Sequence, residues 1–251
     1  MTTSRRAAIV APVRTPVGTF GGSLRAVPVE ELAATAIRAV LERTGIDPGL
    51  VDDVSFAQSY VNGETPCIGR WAALHAGLPV SVPGLQIDRR CGGGLQAVVT
   101  AGNASQQNDA AAACLVVAED RLASLGLEPL GYLAGWAAAG CEPATMGIGP
   151  VPAVQKLFSR TGLAFRDIDL VELNEAFAVQ VLAVLAGWGW NEPDQLNVNG
   201  SGISLGHPIG ATGARMLATG LRELRRRNGR YLLETMCVSG GQGMAAVFEA
   251  A

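Results

Sequence analysis

Residues 39–56 read AVLERTGIDPGLVDDVSF, and a matching pattern, KLFSRTGLAFRDIDLVEL, returns at residues 156–173. In both stretches a Thr-Gly pair ends a predicted helix, and an aspartate, Asp52 or Asp169, stands before a predicted strand. A repeated order of helix, turn and strand predicts two similar structural halves within one chain.

When the repeat alignment is extended along the chain with nearly the same spacing, Cys91 aligns with His207. Each lies in a glycine-rich turn between a predicted strand and a predicted helix. Two similar halves stacked face to face would bring these turns together, although they are far apart in sequence. We therefore expect a first half at residues 1–120, which carries the cysteine, and a second half at residues 121–251, which carries the histidine.

The repeat also indicates that the first half is shortened. The second half continues after its histidine turn with a long helix and two predicted strands, at residues 231–238 and 244–249. The first half continues after its cysteine turn with a short helix, a polar loop and one strand at residues 111–118. The comparison predicts that a strand and part of a helix are missing at the junction of residues 101 and 102.

Composition argues against several classes of protein. The chain of 251 residues is 49% apolar and rich in glycine, which is typical of an α/β protein with closely packed helices. A net charge of −3 gives no sign of nucleic-acid binding, and no apolar stretch is long enough to cross a membrane. The five cysteines are odd in number and show no CxxC spacing. We therefore expect no disulfide framework, no zinc site and a reducing, cytoplasmic location.

One of the two histidines lies in a glycine-rich stretch, NVNGSGISLGHPIGATG at residues 197–213. Gly206 precedes His207, and a predicted helix begins at Ala211. Backbone N–H groups at a helix start favour negative charge. A simple connecting loop would not explain so constrained a setting, and we expect His207 to be functional. The other histidine, His75, stands at a predicted helix end and is expected to act as a cap.

Cys91 follows a predicted strand and precedes three glycines and a predicted helix. The helix N-terminus and the adjacent Arg89 and Arg90 predict a lowered thiol pKa, in the reactive range of about 3.5–7.5. The glycines indicate close approach of a ligand, whereas a buried structural cysteine is the alternative. Three other cysteines lack such a setting and are expected in the core: Cys67, Cys114 and Cys141.

Two further polar residues follow predicted strands. Cys237 ends a strand ahead of the turn that begins at Ser239, where a second cysteine could act as an acid or base with a tuned pKa. Asn174 follows the strand of the second repeat, where an amide can orient a water or donate to an oxyanion. An ordinary helix cap is the alternative for Asn174.

Four blocks in this order resemble the thiolase family. They are CGGGLQA at residues 91–97, NEAF at 174–177, GHPIGATG at 206–213, and Cys237 with its glycine turn; GNAS at 102–105 resembles a fifth. Each block alone is a weak signal, whereas the set is specific and spans essentially the whole chain. The resemblance implies an α/β protein of the thiolase fold, in which two similar βαβαβαββ-type halves stack as layers, αβαβα, with the first half truncated.

The resemblance also implies a two-step acyl transfer. Cys91 would be the nucleophile that takes an acyl group from a 3-ketoacyl-CoA, and His207 would activate it. Cys237 would protonate the leaving acetyl-CoA carbanion and later deprotonate the incoming CoA. The same residues would catalyse the reverse Claisen condensation, so acyl-chain preference and direction stay open.

Other residues would bind and polarise the substrate in this scheme. Asn174 would hold a water in one oxyanion hole, and the N–H groups of Cys91 and Ser239 would form the other. Ser105 and Gly206 would contact the substrate. No cofactor or metal is implied beyond coenzyme A thioesters. The family also implies a homodimer or higher homo-oligomer and a role in lipid metabolism, including fatty acid β-oxidation.

The chain departs from the family in length. Family members are about half as long again, and the missing part would include the loop domain that embraces coenzyme A. One alternative is therefore a catalytically impaired, thiolase-like acyl-CoA-binding protein or a deletion product. A second is a ketoacyl synthase, which would be expected to carry another histidine near Asn174.

Overall fold

The computed structural model describes residues 6–19, 21–58, 60–61, 63–92, 94–95, 108–191 and 193–251. Ser105 and the predicted junction at residues 101 and 102 lie outside the described residues. The strands are β1 (Ala7–Arg14), β2 (Gly18–Thr19), β3 (Val54–Ala57), β4 (Gly84–Ile87), β5 (Asn108–Asp109), β6 (Ala112–Ala118), β7 (Gly131–Gly140), β8 (Leu170–Leu173), β9 (Tyr231–Val238) and β10 (Gln242–Ala250).

The α-helices of the described ranges follow the predicted order. They are α1 (Val29–Thr44), α2 (Ile68–His75), α3 (Leu122–Leu125), α4 (Pro150–Thr161), α5 (Ala178–Trp188), α6 (Gly202–Leu205) and α7 (Ile209–Arg226). Short 3-10 turns supplement them, including Arg90–Gly92. None of these helices is long and apolar enough to cross a lipid bilayer.

The internal repeat is visible in matching helix ends. Helices α1 and α4 both stop at a left-handed glycine, Gly45 with φ 63° and Gly162 with φ 77°. The threonine before each glycine donates its hydroxyl to the preceding turn, from Thr44 over 2.8 Å and from Thr161 over 3.0 Å. The same local chemistry therefore ends the equivalent helix in both halves.

One six-stranded sheet joins the two halves, in the order β6-β1-β7-β10-β9-β8. The halves meet where β1 runs antiparallel to β7, with Ala8 opposite Tyr132. Strands β3 and β4 form a separate parallel pair, and β2 and β5 a short antiparallel one.

Helix α7 forms the central layer, because its apolar face packs on strands of both halves. Met216 and Leu221 share one buried cluster with Ile9 of β1 and Phe248 of β10. Helices α1 and α2 cover the outer face of the first half, and α4 and α5 cover the outer face of the second. This order of layers confirms the predicted αβαβα stacking.

Among the described residues, the first half has no counterpart of the strand that lies at the centre of the second half. In the second half β9 lies between β8, to which it is parallel, and β10, to which it is antiparallel. In the first half β6 lies beside β1, as β10 lies beside β7 in the second half, and β3 corresponds to β8. Among the described strands none stands between β3 and β6, as the repeat predicted.

Two glycines allow the halves to approach closely at the level of the predicted site. A Cβ on Gly94 would lie 2.7 Å from the oxygen of Gly210 and 2.8 Å from the nitrogen of Gly213. A Cβ on Gly213 would in turn collide with the backbone of Leu95. The segment after Cys91 and helix α7 therefore touch backbone to backbone.

Gly213→Ala tests this contact. We expect the variant to lose about 1–3 kcal/mol in its free energy of unfolding, because the added methyl group forces two backbones apart, although alanine favours a helix. Urea denaturation followed by circular dichroism measures the change.

Gly63→Ala is the control, since a Cβ there meets nothing within 4 Å. A Gly213→Ala protein as stable as the parent would contradict the packing of the two halves described above.

Candidate active site

Four predicted residues lie at strand ends or beside helix starts, where the two halves meet. Cys91 lies in the turn after β4, Asn174 directly follows β8, His207 precedes α7, and Cys237 lies near the end of β9. The contacts join them in two groups. Cys91 is close to Ser239 and Cys237, and Asn174 is close to His207.

The turn that carries Cys91 has a left-handed backbone at Arg90, with φ 42°. Asp88 stabilises it, because its Oδ1 accepts the Arg90 N–H at 2.8 Å and its carboxylate pairs with the guanidinium at 3.4 Å. Positive φ is unfavourable for a non-glycine residue and is frequent at functional sites.

The prediction of a lowered pKa for the Cys91 thiol is wrong. Burial raises the pKa of the thiol above its usual value, although the backbone N–H groups of Ser239 and Cys91 and the charge of Arg90 lower it. The cysteine is half-buried, and desolvation of a thiolate outweighs a single nearby cation. Cys91 is therefore a neutral thiol at rest, and its backbone donors await a developing negative charge.

Gly92 and Gly94, which follow Cys91, allow the two halves to pack closely. The prediction from the sequence was that these glycines allow the close approach of a ligand. A Cβ on Gly92 would lie 2.7 Å from Cγ2 of Val238 at the end of β9. Gly94 approaches α7 in the same way. These two contacts set the cysteine turn of the first half against the catalytic elements of the second.

Cys237 is fully buried on β9. Burial, and after it the neighbouring Cys91, raises the pKa of the Cys237 thiol to about 12. A thiol of this kind keeps its proton at neutral pH, so that it can donate the proton to a strong carbon base. Cys141 also raises this pKa, and it lies half-buried at the end of β7, close to the site.

The turn between β9 and β10 accommodates serine at position 239. The positive φ angles of this turn fall on Gly240, at 89°, and Gly241, at 85°, and not on Ser239. Because serine needs no unusual backbone here, its N–H can point at the Cys91 sulfur as a glycine N–H would.

The hydrogen bonds of His207 fix the tautomer of its ring. Thr212 donates its only hydroxyl hydrogen to the Pro208 carbonyl at 2.9 Å. Its oxygen therefore accepts the hydrogen bond from His207 Nδ1, at 2.8 Å. Nε2 is left with a lone pair, which faces the Asn174 amide nitrogen at 3.4 Å.

His207 is neutral over most of the pH range. Burial lowers the pKa of its imidazole to about 4, and the positive charge of Arg215 contributes to the shift. Arg215 lies on α7 with its side chain almost fully buried. A neutral imidazole can accept a proton at Nε2 and then donate it to an oxyanion.

Arg215 lies near two buried carboxyl groups that are neighbours across β8 and β9. Glu172 is paired with Glu234 in the strand register, and both are fully buried. Burial raises the pKa of Glu172 to about 8 and that of Glu234 well above its usual value. The described residues offer none of the three side chains a hydrogen bond. The cluster therefore keeps net positive charge behind His207 at neutral pH.

Asn174 has one free acceptor. Its amide nitrogen faces His207, whereas its Oδ1 is buried without a hydrogen-bond partner among the described residues. A Cβ on Gly202 would lie 3.2 Å from that oxygen, so a side chain there would crowd it. A buried acceptor without a partner leaves room for a bound water, and the water-positioning role of Asn174 stays a prediction.

A loop anchor that sequence reasoning missed positions Asn174. Asn197, with φ 47°, uses its side-chain amide like a neighbouring strand: Oδ1 accepts the Leu173 N–H and Nδ2 donates to the Leu173 carbonyl, both at 2.8 Å. Glu175 accepts from Asn197 at 3.1 Å and from the Ile203 N–H at 3.0 Å. Glu175 lies in the NEAF block, and Asn197 opens the glycine-rich stretch that contains His207.

The other residues singled out in the sequence lie outside these two groups of contacts. Gly206 ends α6 with φ 91°, next to His207, and His75 ends α2 as expected. Cys67 and Cys114 are half-buried, and burial raises the pKa of Cys114 to about 12. Within the described ranges no group of histidine, cysteine and acidic side chains could hold a metal ion.

The lowered pKa of His207 predicts a pH dependence of stability. The unfolded state takes up a proton near pH 6.5, whereas the folded state resists it down to about pH 4. The contribution of His207 to the free energy of unfolding should therefore fall by about 3 kcal/mol as pH drops from 6.5 to 4, and it should show no such loss above pH 6.5. Urea titrations at several pH values measure it.

His207→Gln isolates this contribution, because Glu172, Glu175, Glu234 and Arg215 are the same in both proteins. We expect the variant to lose less stability over this range, while His75→Gln follows the parent. Equal slopes for the parent and His207→Gln would overturn the assignment of a buried neutral histidine.

Comparison with known proteins identifies the family of the chain. The model of the thiolase N-terminal domain matches residues 7–100, and that of the thiolase C-terminal domain matches residues 127–250. The acetyl-CoA acetyltransferase of Chromobacterium violaceum is 31% identical over 388 aligned positions, which include 96% of this chain and 99% of that protein. Since the chain has 251 residues, at least 388 − 251 = 137 of those positions have no residue here.

Two more relatives extend the comparison. The beta-ketothiolase BktB of Cupriavidus necator is 54% identical over 151 residues, 60% of this chain and 38% of that protein. The crystal structure of the Bacillus anthracis acetyl-CoA acetyltransferase superposes with a TM-score of 0.93 at 26% identity, over 98% of this chain and 99% of that one. The matches cover both halves and the glycine-rich turns of Cys91 and His207, and the chain belongs to the thiolase family.

Proposed function

We propose that the chain is an acyl-CoA acyltransferase that forms an acyl-enzyme on Cys91. One observation carries the proposal: the Cys91 sulfur lies against the backbone N–H of Ser239 and beside Cys237, a buried thiol that holds its proton. A nucleophile, donors for negative charge and a proton source are thus adjacent, as a Claisen-type acyl transfer requires.

The first step is attack of the Cys91 sulfur on the 3-keto carbon of a 3-ketoacyl-CoA. His207 Nε2, the unprotonated ring nitrogen, takes the thiol proton as negative charge develops on the keto oxygen. Both groups are neutral at rest, so charge separation accompanies the attack and does not precede it. Burial of the pair favours this course, because an isolated thiolate and imidazolium would be costly there.

The oxyanion has two sets of donors in this scheme. The protonated His207 and a water on the free Oδ1 of Asn174 form one, and the N–H groups of Cys91 and Ser239 form the other. Both sets are fixed by backbone or buried side chains, so little reorganisation is needed during the reaction. Gly206 and Ser105 are proposed as substrate contacts.

Collapse of the intermediate breaks the bond between the second and third carbons of the substrate. The electron pair stays on the second carbon, which takes the proton of Cys237, and acetyl-CoA leaves. Coenzyme A then gives its thiol proton to Cys237 and attacks the acyl group on Cys91. Cys91 leaves as a thiolate and recovers its proton from His207, so the protons balance over the cycle.

The shortened chain favours a second candidate, an acyl-CoA-binding protein without turnover. At least 137 alignment positions of the acetyltransferase relative have no counterpart here, and substrate contacts could be among them. Such a protein would bind acyl-CoA but would leave Cys91 unmodified. The two candidates therefore differ in one measurable product.

Several finer points belong to the same proposal. We place the boundary between the halves at residues 120 and 121, directly after β6, and the deletion at residues 101 and 102. The five free cysteines support a reducing, cytoplasmic location. A homo-oligomer and a role in lipid metabolism, including β-oxidation, follow from the family alone.

Acetylation of Cys91 tests the proposed function. After incubation with acetyl-CoA, we expect peptide mass mapping to place one acetyl group on Cys91, because the N–H groups of Ser239 and Cys91 stabilise the attack at this sulfur alone. Cys91→Ser should lose at least 100-fold in thiolysis rate, since removal of the nucleophile leaves only binding.

Cys141→Ser is the matched control, because Cys141 is another half-buried thiol close to the site. It should keep both acetylation and turnover. Acetyl-CoA that binds while every cysteine stays unmodified would support the binding protein and contradict the enzyme.

A further inference from the structure

An apolar cavity of about 850 Å³ occupies the place of the missing strand. Its walls include β3 and the whole inner length of β6 up to Val117, but no residue of β4. Folded cores leave few voids larger than a water molecule. A cavity of this size between two strands therefore calls for an occupant.

The two faces of the cavity belong to different helical layers. Side chains of α1, including Leu32, Ile37 and Val40, line one face, and Gly210, Ala211 and Ala214 of the α7 layer line the other. Alternate residues of β6 face these layers, since Ala113 packs with α1 and Cys114 packs with the central core. Anything that extends β6 across the cavity must be apolar on both faces.

The edges of the cavity offer backbone groups for hydrogen bonding. Among the described strands, β6 is the last of the six-stranded sheet, and β3 pairs with β4 alone. On the side of β4, strand β3 has the same pairing as β8 has in the second half. Val54 pairs in parallel with Gly84, and the equivalent Val171 pairs in parallel with Leu196. Val171 also pairs with Leu233 of β9, and Val54 has no described partner on that side.

An aspartate at one end of the cavity marks where a strand would start. In the second half, Asp169 Oδ2 accepts the N–H groups of Arg230 and Tyr231, at 2.8 and 2.9 Å, at the start of β9. Asp52 is the residue that the repeat aligns with Asp169. It lines the cavity, and none of the described residues hydrogen-bonds its carboxylate.

We propose that this cavity is a docking site for one extended strand of a different polypeptide, and not of a second copy of this chain. The strand runs parallel to β3 and antiparallel to β6, presents apolar side chains to both helical layers, and begins with its N–H groups on Asp52. Its backbone bonds β3 to β6 and restores the order that β8, β9 and β10 show in the second half.

The occupant has the chemistry of β9. Seven of the eight residues of β9 are buried, on both faces of the sheet. A strand in this slot needs the same two-sided burial, which an edge or surface strand does not provide. An acyl chain could fill the same volume, but it has no N–H or C=O groups for the two open edges.

Hydrogen exchange tests the proposal without reference to activity. The probe is the stretch of the Chromobacterium violaceum acetyl-CoA acetyltransferase that lies opposite the gap, produced separately and mixed with the purified chain. Exchange should slow in peptides from β3 and β6 by at least tenfold, since their open edges become paired. Peptides from β8, β9 and β10 should not change.

Asp52→Ala and Asp53→Ala form a matched pair, because both aspartates are exposed at the cavity and only Asp52 aligns with Asp169. We expect the affinity for the probe to fall about tenfold in Asp52→Ala, through loss of charge-assisted hydrogen bonds, and to stay unchanged in Asp53→Ala. Equal affinities would contradict the proposed register.

Three other results would overturn the docking site. Edge amides of β3 and β6 that already exchange as slowly as those of β8 would mean that the slot is closed in the chain alone. Protection that rises with protein concentration in the absence of the probe would identify a second copy as the occupant. Protection by palmitoyl-CoA and not by the probe would identify an acyl chain as the occupant.

The docking site and the proposed acyl transfer can be told apart. If the probe slows exchange but the chain shows no thiolysis, the docking site is supported and only the proposed acyl transfer is contradicted.

Discussion

Backbone contact between Gly94 and α7 sets the distance between the two halves, and the site depends on that distance. With no side chain at Gly94 or Gly213, the segment that follows Cys91 lies directly against the first turns of the helix that follows His207. Any larger residue would separate the cysteine turn from the ends of β8 and β9. The glycine blocks therefore act first on packing, and the chemistry of the thiol follows from it.

Burial dominates the electrostatics once the halves are in contact. It raises the pKa of Cys91 and Cys237 and lowers that of His207, so the three groups are neutral at rest. Burial of a neutral group costs little free energy, and these groups can exchange protons when negative charge develops on the substrate. Arg215 adds a cation behind the histidine, and the paired Glu172 and Glu234 are protonated too readily to offset it.

Local patterns predicted α1 and β9 to the residue, and the repeat predicted two similar halves. The layered arrangement of these halves was expected from the resemblance to the thiolase family. For Asn174 the sequence predicted only an amide that orients a water or donates to an oxyanion, because a short motif after a strand does not show what the side chain contacts. The predicted lowering of the Cys91 pKa was wrong because burial of the thiol outweighs the charge of the adjacent arginine, and burial depends on all the segments packed around the cysteine. The bonds of Thr212 to His207 and of Asn197 to Leu173 were missed because they depend on tertiary geometry.

The central claim is that this shortened chain transfers acyl groups. The most direct test is thiolysis of acetoacetyl-CoA by purified protein whose intact mass is verified as 25.9 kDa. Our account predicts formation of acetyl-CoA that depends on added coenzyme A. Folded protein of that mass that forms no acetyl-CoA, although it binds acetoacetyl-CoA, would contradict it.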